Sequence, residues 1–258
     1  MFLFLQCIFG VLVWNVYCDN PEENSIVDLS WGIDENTVYW PGNRKFEFTK
    51  VKIGSIESNG YWFSAKEFCM AEHGGTHLDA PRHFDKDGWT VGQIPFSRFN
   101  GFGALIDVSE EVEAQGPNFT VQVRHLEEWK SKQTETPDQV VLLVRTGWHK
   151  KYNNETEYLG SDGNGNLHFP GISKEAAEWI VAQKNIVGVG IDTASLDQGI
   201  SKTFLAHQAI LKNKIYGIEN LNFPENAFGE KFHVYVLPIK LMGGTGGPVR
   251  VFIINQKK

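Results

Sequence analysis

Apolar residues alternate with polar ones in many short runs, and recur at helical spacing in only a few longer ones, so strands outnumber helices along this chain. The alternating or β-branched runs predict strands over residues 25–29, 46–53, 62–70, 104–108, 140–144, 186–191, 215–218, 234–241 and 249–254. Helical spacing predicts helices over residues 123–132, 174–184 and 202–212, with Ser173 and Ser201 as N-caps of the last two. Strands dominate the first half and β/α alternation the second. That order predicts an α/β domain built on a mixed sheet. No internal repeat, Pro/Ser-rich linker or charge block divides the chain, so one domain is expected over residues 19–258.

Residues 1–18 stand apart from this pattern. They carry no charged side chain and are almost wholly apolar, and Asp19-Asn20-Pro21-Glu22-Glu23 then turns abruptly polar. The pattern is that of a signal peptide with the Met1 amino group as its positive charge and a cleavage point near Cys18. A short N-terminal membrane anchor is the other reading, although the run falls short of the ~20 residues that a spanning helix needs. Two sequons, Asn118-Phe119-Thr120 and Asn154-Glu155-Thr156, agree with the secretory route. A secreted, extracellular glycoprotein with no membrane contact after cleavage is therefore expected.

Composition narrows the class. The 258 residues are 41% hydrophobic and 21% charged, enough apolar material for a full globular core. Net charge is −7 and the 24 Lys and Arg are scattered, so the long-range field repels a phosphate backbone and argues against a nucleic-acid partner. Of three cysteines, Cys7 and Cys18 fall in the signal segment, which leaves Cys69 without a disulfide partner. In the run Phe68-Cys69-Met70-Ala71 it reads as a small buried hydrophobe; a thiol nucleophile is the alternative, which alkylation would test.

The chemistry lies in His73-Gly74-Gly75-Thr76-His77-Leu78-Asp79-Ala80-Pro81-Arg82-His83-Phe84. Three imidazoles and a carboxylate fall in one short window, and these are ligands that Zn²⁺ and Mn²⁺ accept. Gly74-Gly75 and Thr76 disfavour a helix, so a turn followed by an extended piece is expected, with His77 and Asp79 on one side and His73 folded back towards them. Pro81 stops a helix from forming downstream and sets His83 on a bend that returns its ring to the same cavity, in a role that need not be that of a ligand. The Thr76 hydroxyl is placed to bond a ligand or a water. Other chemistries lack their motifs: there is no His-Glu-x-x-His, no Gly-x-Ser-x-Gly and no P-loop. The tract Asp162-Gly163-Asn164-Gly165-Asn166 imitates a calcium loop, but Leu167 stands where glycine is needed and Ser173 where the bidentate Glu belongs. A solvated loop is expected there.

The window from His73 to Phe84 resembles the His-x-Gly-Thr-His-x-Asp-x-Pro-x-His-Phe motif of the cyclase-like metal hydrolases, the family that includes bacterial-type kynurenine formamidase and isatin hydrolase. Trp40-Pro41-Gly42 is similar to its early turn, and Gly190-Ile191-Asp192-Thr193-Ala194-Ser195-Leu196-Asp197 to its Gly-Ile-Asp-Thr-x-Ser-x-Asp segment. Leu237-Pro238-Ile239-Lys240 and Gly247-Pro248-Val249-Arg250 are similar to its C-terminal stretch.

The resemblance implies a swivelling β/β/α domain, usually oligomeric, so a homo-oligomer is expected, with one or two Zn²⁺ or Mn²⁺ ions per subunit. It makes His73, His77 and Asp79 metal ligands, with Asp79 able to bridge two ions. His207 and Glu219 match the later His and Glu of the two-zinc formamidases; the residues alone read as a helix-face histidine and a solvated turn carboxylate. His83 is implied as proton donor and acceptor, and Trp40 as a contact for an aromatic substrate or else a packing residue. Phe63 and Phe204 are further candidates for the pocket wall. Asn43 and the glycine loop Gly243-Gly244-Thr245-Gly246-Gly247 depart from common forms of the family, and neither is expected to touch the ligands. The implied function is a secreted amidohydrolase acting through a metal-activated water. An arylformamidase that converts N-formylkynurenine to kynurenine and formate is the first expectation. A hydrolase of another aromatic or cyclic amide, as in isatin, and a non-catalytic extracellular binding protein with a structural metal are the alternatives.

Overall fold

In β7 (Val140–Arg145) every residue but the last is buried, which explains its unbroken Val-Val-Leu-Leu-Val run: the strand has protein on both faces. Val141 and Leu143 point into one apolar cluster, whereas Val140, Leu142 and Val144 point into another. The computed structural model describes residues 26–54, 60–134 and 137–256. The signal-peptide segment lies outside the described residues, and among those described no helix is long and apolar enough to cross a membrane.

Before β7 come β1 (Ile26–Asp28), β2 (Glu47–Ile53), β3 (Ser64–Cys69), β4 (His77–Asp79), β5 (Asn100–Asp107), α1 (Ser109–Gln115), β6 (Thr120–Val121) and α2 (Val123–Ser131). After it come α3 (Glu155–Leu159), β8 (Gly171–Ile172), α4 (Lys174–Ala182), β9 (Ile186–Ile191), α5 (Leu205–Lys212), β10 (Tyr216–Glu219), β11 (Phe232–Pro238) and β12 (Gly246–Asn255). The main sheet runs β1-β12-β11-β5-β7-β9-β10-β4, and β4 pairs again with β12. The sheet therefore closes on itself as a barrel. β5, β7, β9 and β10 are parallel neighbours, while β4, β11 and β12 join antiparallel, so the sheet is mixed as expected. One core, with Leu143, Ile218, Val234 and Val251, fills the barrel; the other, with Leu142, Leu126, Ile180 and Ile210, lies between its outer face and α2, α4 and α5.

Ser173 caps α4 as predicted, its side chain accepting from Ala176 N–H. Ser201 does not cap α5, which starts at Leu205. The Ser201 hydroxyl instead accepts from Phe204 N–H, and the Asp197 carboxylate, further back in the same β9–α5 loop, accepts from the N–H groups of Ala206 and His207. An anion at a helix start also interacts favourably with the helix dipole, which a hydroxyl does not. The strand predicted over residues 234–241 begins earlier, at Phe232, and stops at Pro238, after which the chain turns back through Gly243. β2 and β3 form a separate antiparallel hairpin that stands off the barrel, with all seven residues of β2 exposed.

Candidate functional site

The Gly74-Gly75 hinge lets the chain double back. An added Cβ at Gly74 would lie 1.9 Å from the buried Tyr39 ring, and Gly75 has a φ of +59°, a backbone state in which side chains are strained. Beyond the hinge, β4 is gripped along both edges: Asp79 faces Gly217 of β10 and Gly246 of β12, while His77 faces Glu219 and Pro248. This delivers the expected turn and extended piece, with Glu219 directly across from His77. Pro81 opens a single 3₁₀ turn, Pro81–His83, rather than excluding helical structure, since proline fits the first position of a helix. The turn brings His83 back over His73, their rings stacked with centroids 4.0 Å apart.

The buried imidazoles share one hydrogen-bond logic. His77 Nδ1 donates to the Gly75 carbonyl (2.9 Å), which leaves Nε2 facing Asp79 Oδ1 at 3.3 Å and Glu219 Oε2 at 3.5 Å. His207 Nδ1 donates to Asp197 Oδ2 (2.7 Å), which leaves Nε2 facing Asp79 Oδ2 at 3.2 Å and Glu219 Oε1 at 3.0 Å. His73 Nδ1 lies 2.7 Å from Asp79 Oδ1. A neutral imidazole so tied turns a lone pair on a carboxylate oxygen, an arrangement that requires positive charge between them. Among the described residues no Lys or Arg lines this cavity.

The proton affinities register the same demand. Burial pulls the His77 imidazolium down, but the Asp79 and Glu219 carboxylates outweigh it and push the ring up to about 9. Burial likewise opposes His207, yet Asp197, Asp79 and Glu219 raise it well above the ordinary histidine value. Burial pushes Asp79 up, and the His77 charge with hydrogen bonds from His207, His73 and His77 more than reverses this, holding the carboxyl well below its usual range. Glu219 goes the other way, raised by burial and by the charge of Asp79.

Two sets of potential ligand atoms converge within 4.8 Å, one from His73, Asp79 and His83 and the other from His77, Asp79 and Glu219. Asp79 belongs to both, and so can bridge a pair of ions. His207 reaches the second set through Asp79 and Glu219. All five sequence-derived ligand candidates thus meet in one place. The nitrogen and carboxylate donors suit Zn²⁺ or Mn²⁺, and a divalent ion could balance the two carboxylates in place of protons on the rings.

The ligand cluster forms the floor of a cavity of about 340 Å³. Its aromatic wall includes Trp40, Phe84 and Phe204, with Trp40 and Phe204 edge to face at 5.9 Å. Trp40 also packs against Phe169 at 6.4 Å, so it serves the core and the pocket together. His83 is exposed at the mouth. Lost hydration around its ring pulls its pKa down to about 4, with Asp79 opposing and the other imidazoles reinforcing the fall. The ring is a neutral base in the physiological range.

Several candidates stand elsewhere. Phe63 is exposed and does not line the cavity. The Thr76 hydroxyl is committed to backbone, donating to the Asn220 carbonyl at 2.8 Å and accepting from Trp31 N–H at 2.9 Å. Cys69 is half-buried at the end of β3 rather than fully buried, and is not part of the cavity wall. Asp162 spends its carboxylate on Asn164 and Asn166 of its own exposed loop. Asn118 and Asn154 are exposed.

Sequence reading passed over Tyr39, Ser195 and Asn220 in the cavity wall, and Glu72, Asp197 and Thr245 behind the ligands. The glycine loop does touch a ligand candidate: Thr245 Oγ1 lies 3.1 Å from His73 Nε2. The double contact of β4 with β10 and β12 carries that loop to the site, a pairing that no local pattern encodes.

The Cyclase family model matches residues 27–198. The isatin hydrolase of Roseibium aggregatum is 28% identical over 215 residues, covering 80% of each chain. The kynurenine formamidase of Bacillus cereus is 29% identical over 231 residues, covering 88% of this chain and 96% of the relative. Among solved structures, isatin hydrolase A from Labrenzia aggregata bound to benzyl benzoate superposes with a TM-score of 0.79 at 27% identity, covering 90% of this chain and 94% of that one.

Proposed function

Because the chain belongs to the cyclase family, we propose that it is a secreted metal-dependent hydrolase of aryl amide bonds, with N-formylkynurenine, cleaved to kynurenine and formate, as the favoured substrate. The observation that carries this reading is the convergence of His77 and His207 Nε2 on the buried Asp79 and Glu219 carboxylates beneath an aromatic-walled cavity. His73, His77, Asp79, His207 and Glu219 would hold one or two Zn²⁺ or Mn²⁺ ions. When bound, such an ion supplies Lewis acidity, polarising an amide carbonyl and lowering the pKa of a water towards ~7.

The protein's own groups do the rest. Trp40 and Phe204 receive the aryl ring and point the amide at the ligand cluster. His83, neutral at the mouth, takes the proton of the attacking water and returns it to the departing nitrogen. Stacking on His73 fixes its ring for both transfers. A purely structural metal site would not need that base, which favours catalysis over an extracellular binding role. The second substrate reading, a cyclic amide as in isatin, draws on the isatin hydrolase relative and on an aromatic wall that suits either ring.

Secretion is supported by the apolar start of the sequence and by the exposure of both sequon asparagines, Asn118 and Asn154. Asn154 also caps α3 through Oδ1, which accepts from Glu157 N–H, so Nδ2 stays free for a glycan. A homo-oligomer agrees with the exposed apolar residues Phe48, Val51, Ile53 and Phe68 on the β2–β3 hairpin.

Hydrolysis of N-formyl-L-kynurenine by purified protein, before and after chelation and then with Zn²⁺ or Mn²⁺ restored, tests the proposal. Activity that disappears and returns with metal is expected. A folded, metal-loaded protein that leaves this substrate intact would remove the formamidase assignment, and isatin is then the next substrate to assay.

A further inference from the structure

Half-buried His73 differs from the buried His77 and His207 in what holds its outer nitrogen. His77 leans on a backbone carbonyl and His207 on a carboxylate, both of which can only accept and therefore fix the ring proton without ambiguity. His73 Nε2 instead meets a hydroxyl, Thr245 Oγ1, at 3.1 Å. A hydroxyl can give or take. By itself it leaves open which nitrogen of His73 carries the hydrogen, and so which one offers a lone pair to the inside of the site.

Glu72 removes that freedom. Its Oε2 accepts from Thr245 N–H (2.9 Å) and Gly246 N–H (3.2 Å), and lies 2.7 Å from Thr245 Oγ1. An oxygen facing two N–H donors is an acceptor, so the hydroxyl commits its single hydrogen to Glu72. Only lone pairs are left on Thr245 Oγ1 to face the ring, and His73 Nε2 must be the donor. In the neutral ring that a cation requires, Nδ1 is then the bare nitrogen, 2.7 Å from Asp79 Oδ1. Gly246 completes the support, because a Cβ there would come within 2.5 Å of His73 Cε1 and push the ring aside.

We propose that Glu72 and Thr245 are positioning residues that fix the tautomer and orientation of His73, presenting Nδ1 to a divalent cation shared with Asp79. Neither residue touches the cation. The proposal rests on the metal-site reading above, and it explains why the Thr245 loop folds against β4 in place of a simple backbone support. The relay spans 173 positions of sequence, from Glu72 to Thr245.

The test is titration of the metal-free full-length protein with Zn²⁺ against a competing chelator, for the wild type, Thr245→Val, Thr245→Ser and Glu72→Ala. Valine keeps the shape of threonine and loses the hydroxyl; serine keeps the hydroxyl. Removing a group that orients a metal ligand typically weakens metal binding by about 10- to 100-fold. That loss is expected for Thr245→Val and for Glu72→Ala, with Thr245→Ser close to wild type. Thermal melting of the metal-free proteins reports whether each variant folds, and Glu72→Ala probes the relay from its other end if Thr245→Val does not fold. Wild-type affinity in Thr245→Val, or an equal loss in Thr245→Ser, overturns the relay while leaving the metal site standing. A wild type that binds no Zn²⁺ overturns the metal-site reading and the relay with it.

Discussion

Asp197 Oδ2 accepts from both the backbone N–H and the ring Nδ1 of His207, at 3.0 and 2.7 Å, while its Oδ1 accepts from Ala206 N–H at 2.8 Å. One carboxylate thus caps α5 and turns the His207 ring towards Asp79 and Glu219. Helix start and ligand orientation are a single structural decision. Asp197→Asn weakens the charged cap and allows the amide to present N–H where the ring needs an acceptor. Loss of the negative charge at the helix start is expected to cost about 0.3–1 kcal/mol, read from chemical denaturation of metal-free protein. Metal affinity should fall by about 10- to 100-fold, read from metal content after dialysis.

His83 separates a proton-transfer role from a ligand role. Its ring reaches the His73 and Asp79 group, yet it is exposed and its pKa is drawn down to about 4. His83→Ala should lower turnover by about 10²- to 10⁴-fold while bound metal, measured by elemental analysis, stays at the wild-type level. Loss of metal in step with activity would make His83 a ligand instead.

Metal binding should release protons. His77 is pushed up to about 9 by Asp79 and Glu219 against burial, and His207 is raised too, so in metal-free protein these rings hold protons that a cation must displace. The sign follows from the raised folded-state value. In the metal-free protein this charge pairing contributes stability fully below the unfolded histidine pKa of ~6.5, and the contribution is lost as pH rises through about 9. Metal affinity runs oppositely, strengthening as pH rises towards that value. Calorimetric titration in buffers of different ionisation enthalpy measures the released protons. A binding enthalpy that does not depend on the buffer would contradict the expectation.

How far the site could be read in advance follows from where its parts lie. His73, His77, Asp79 and His83 are neighbours in sequence, and the Gly74-Gly75 hinge between them is a local signal with a local cause. The β7 and β9 runs were equally legible, because burial on both faces leaves no polar positions. Two short helices were not: α1 is rich in Glu and buries only Val112, and α3 is a single turn capped by Asn154, so neither carries an apolar stripe. The start of α5 was misplaced because its cap, Asp197, is not Ser201 but a residue further back in the same loop, eight positions before the helix begins. His207 and Glu219 pointed to the site through family resemblance alone. Thr245 lies in the glycine loop that was expected to stay clear of these residues, since only barrel closure through β12 and β4 brings it to His73.

The hinge itself makes a sharp stability prediction. At Gly74 a methyl group would lie 1.9 Å from Tyr39 Cε1 and 2.2 Å from Cδ1, so the Tyr39 ring, 2% exposed, would have to be displaced from its packed position. Gly74→Ala should therefore cost about 1–3 kcal/mol or more in denaturant unfolding. Gly42→Ala, at an open turn where an added Cβ meets nothing within 4 Å, controls for a general intolerance of glycine replacement. It carries only the strain of its positive φ of +90°.

Substrate selection should reside in the aromatic wall. Phe204 holds a left-handed backbone (φ +51°) immediately before α5, a conformation that bulky residues seldom adopt. It places the ring edge to face with Trp40 and 5.7 Å from Phe84, against the cavity that the ligands floor. A substrate aryl ring entering there gains contacts worth about 0.5–1.5 kcal/mol per aromatic neighbour. Phe204→Leu keeps an apolar wall but removes the ring, so KM for an aryl formamide should rise by about 2- to 10-fold with kcat much less affected. A small aliphatic formamide, which makes no such contact, should show no matching rise. Trp40→Phe should act in the same direction more weakly, because it keeps an aromatic face. Equal effects on aryl and aliphatic substrates would move the selectivity away from these rings and towards the ligand cluster itself.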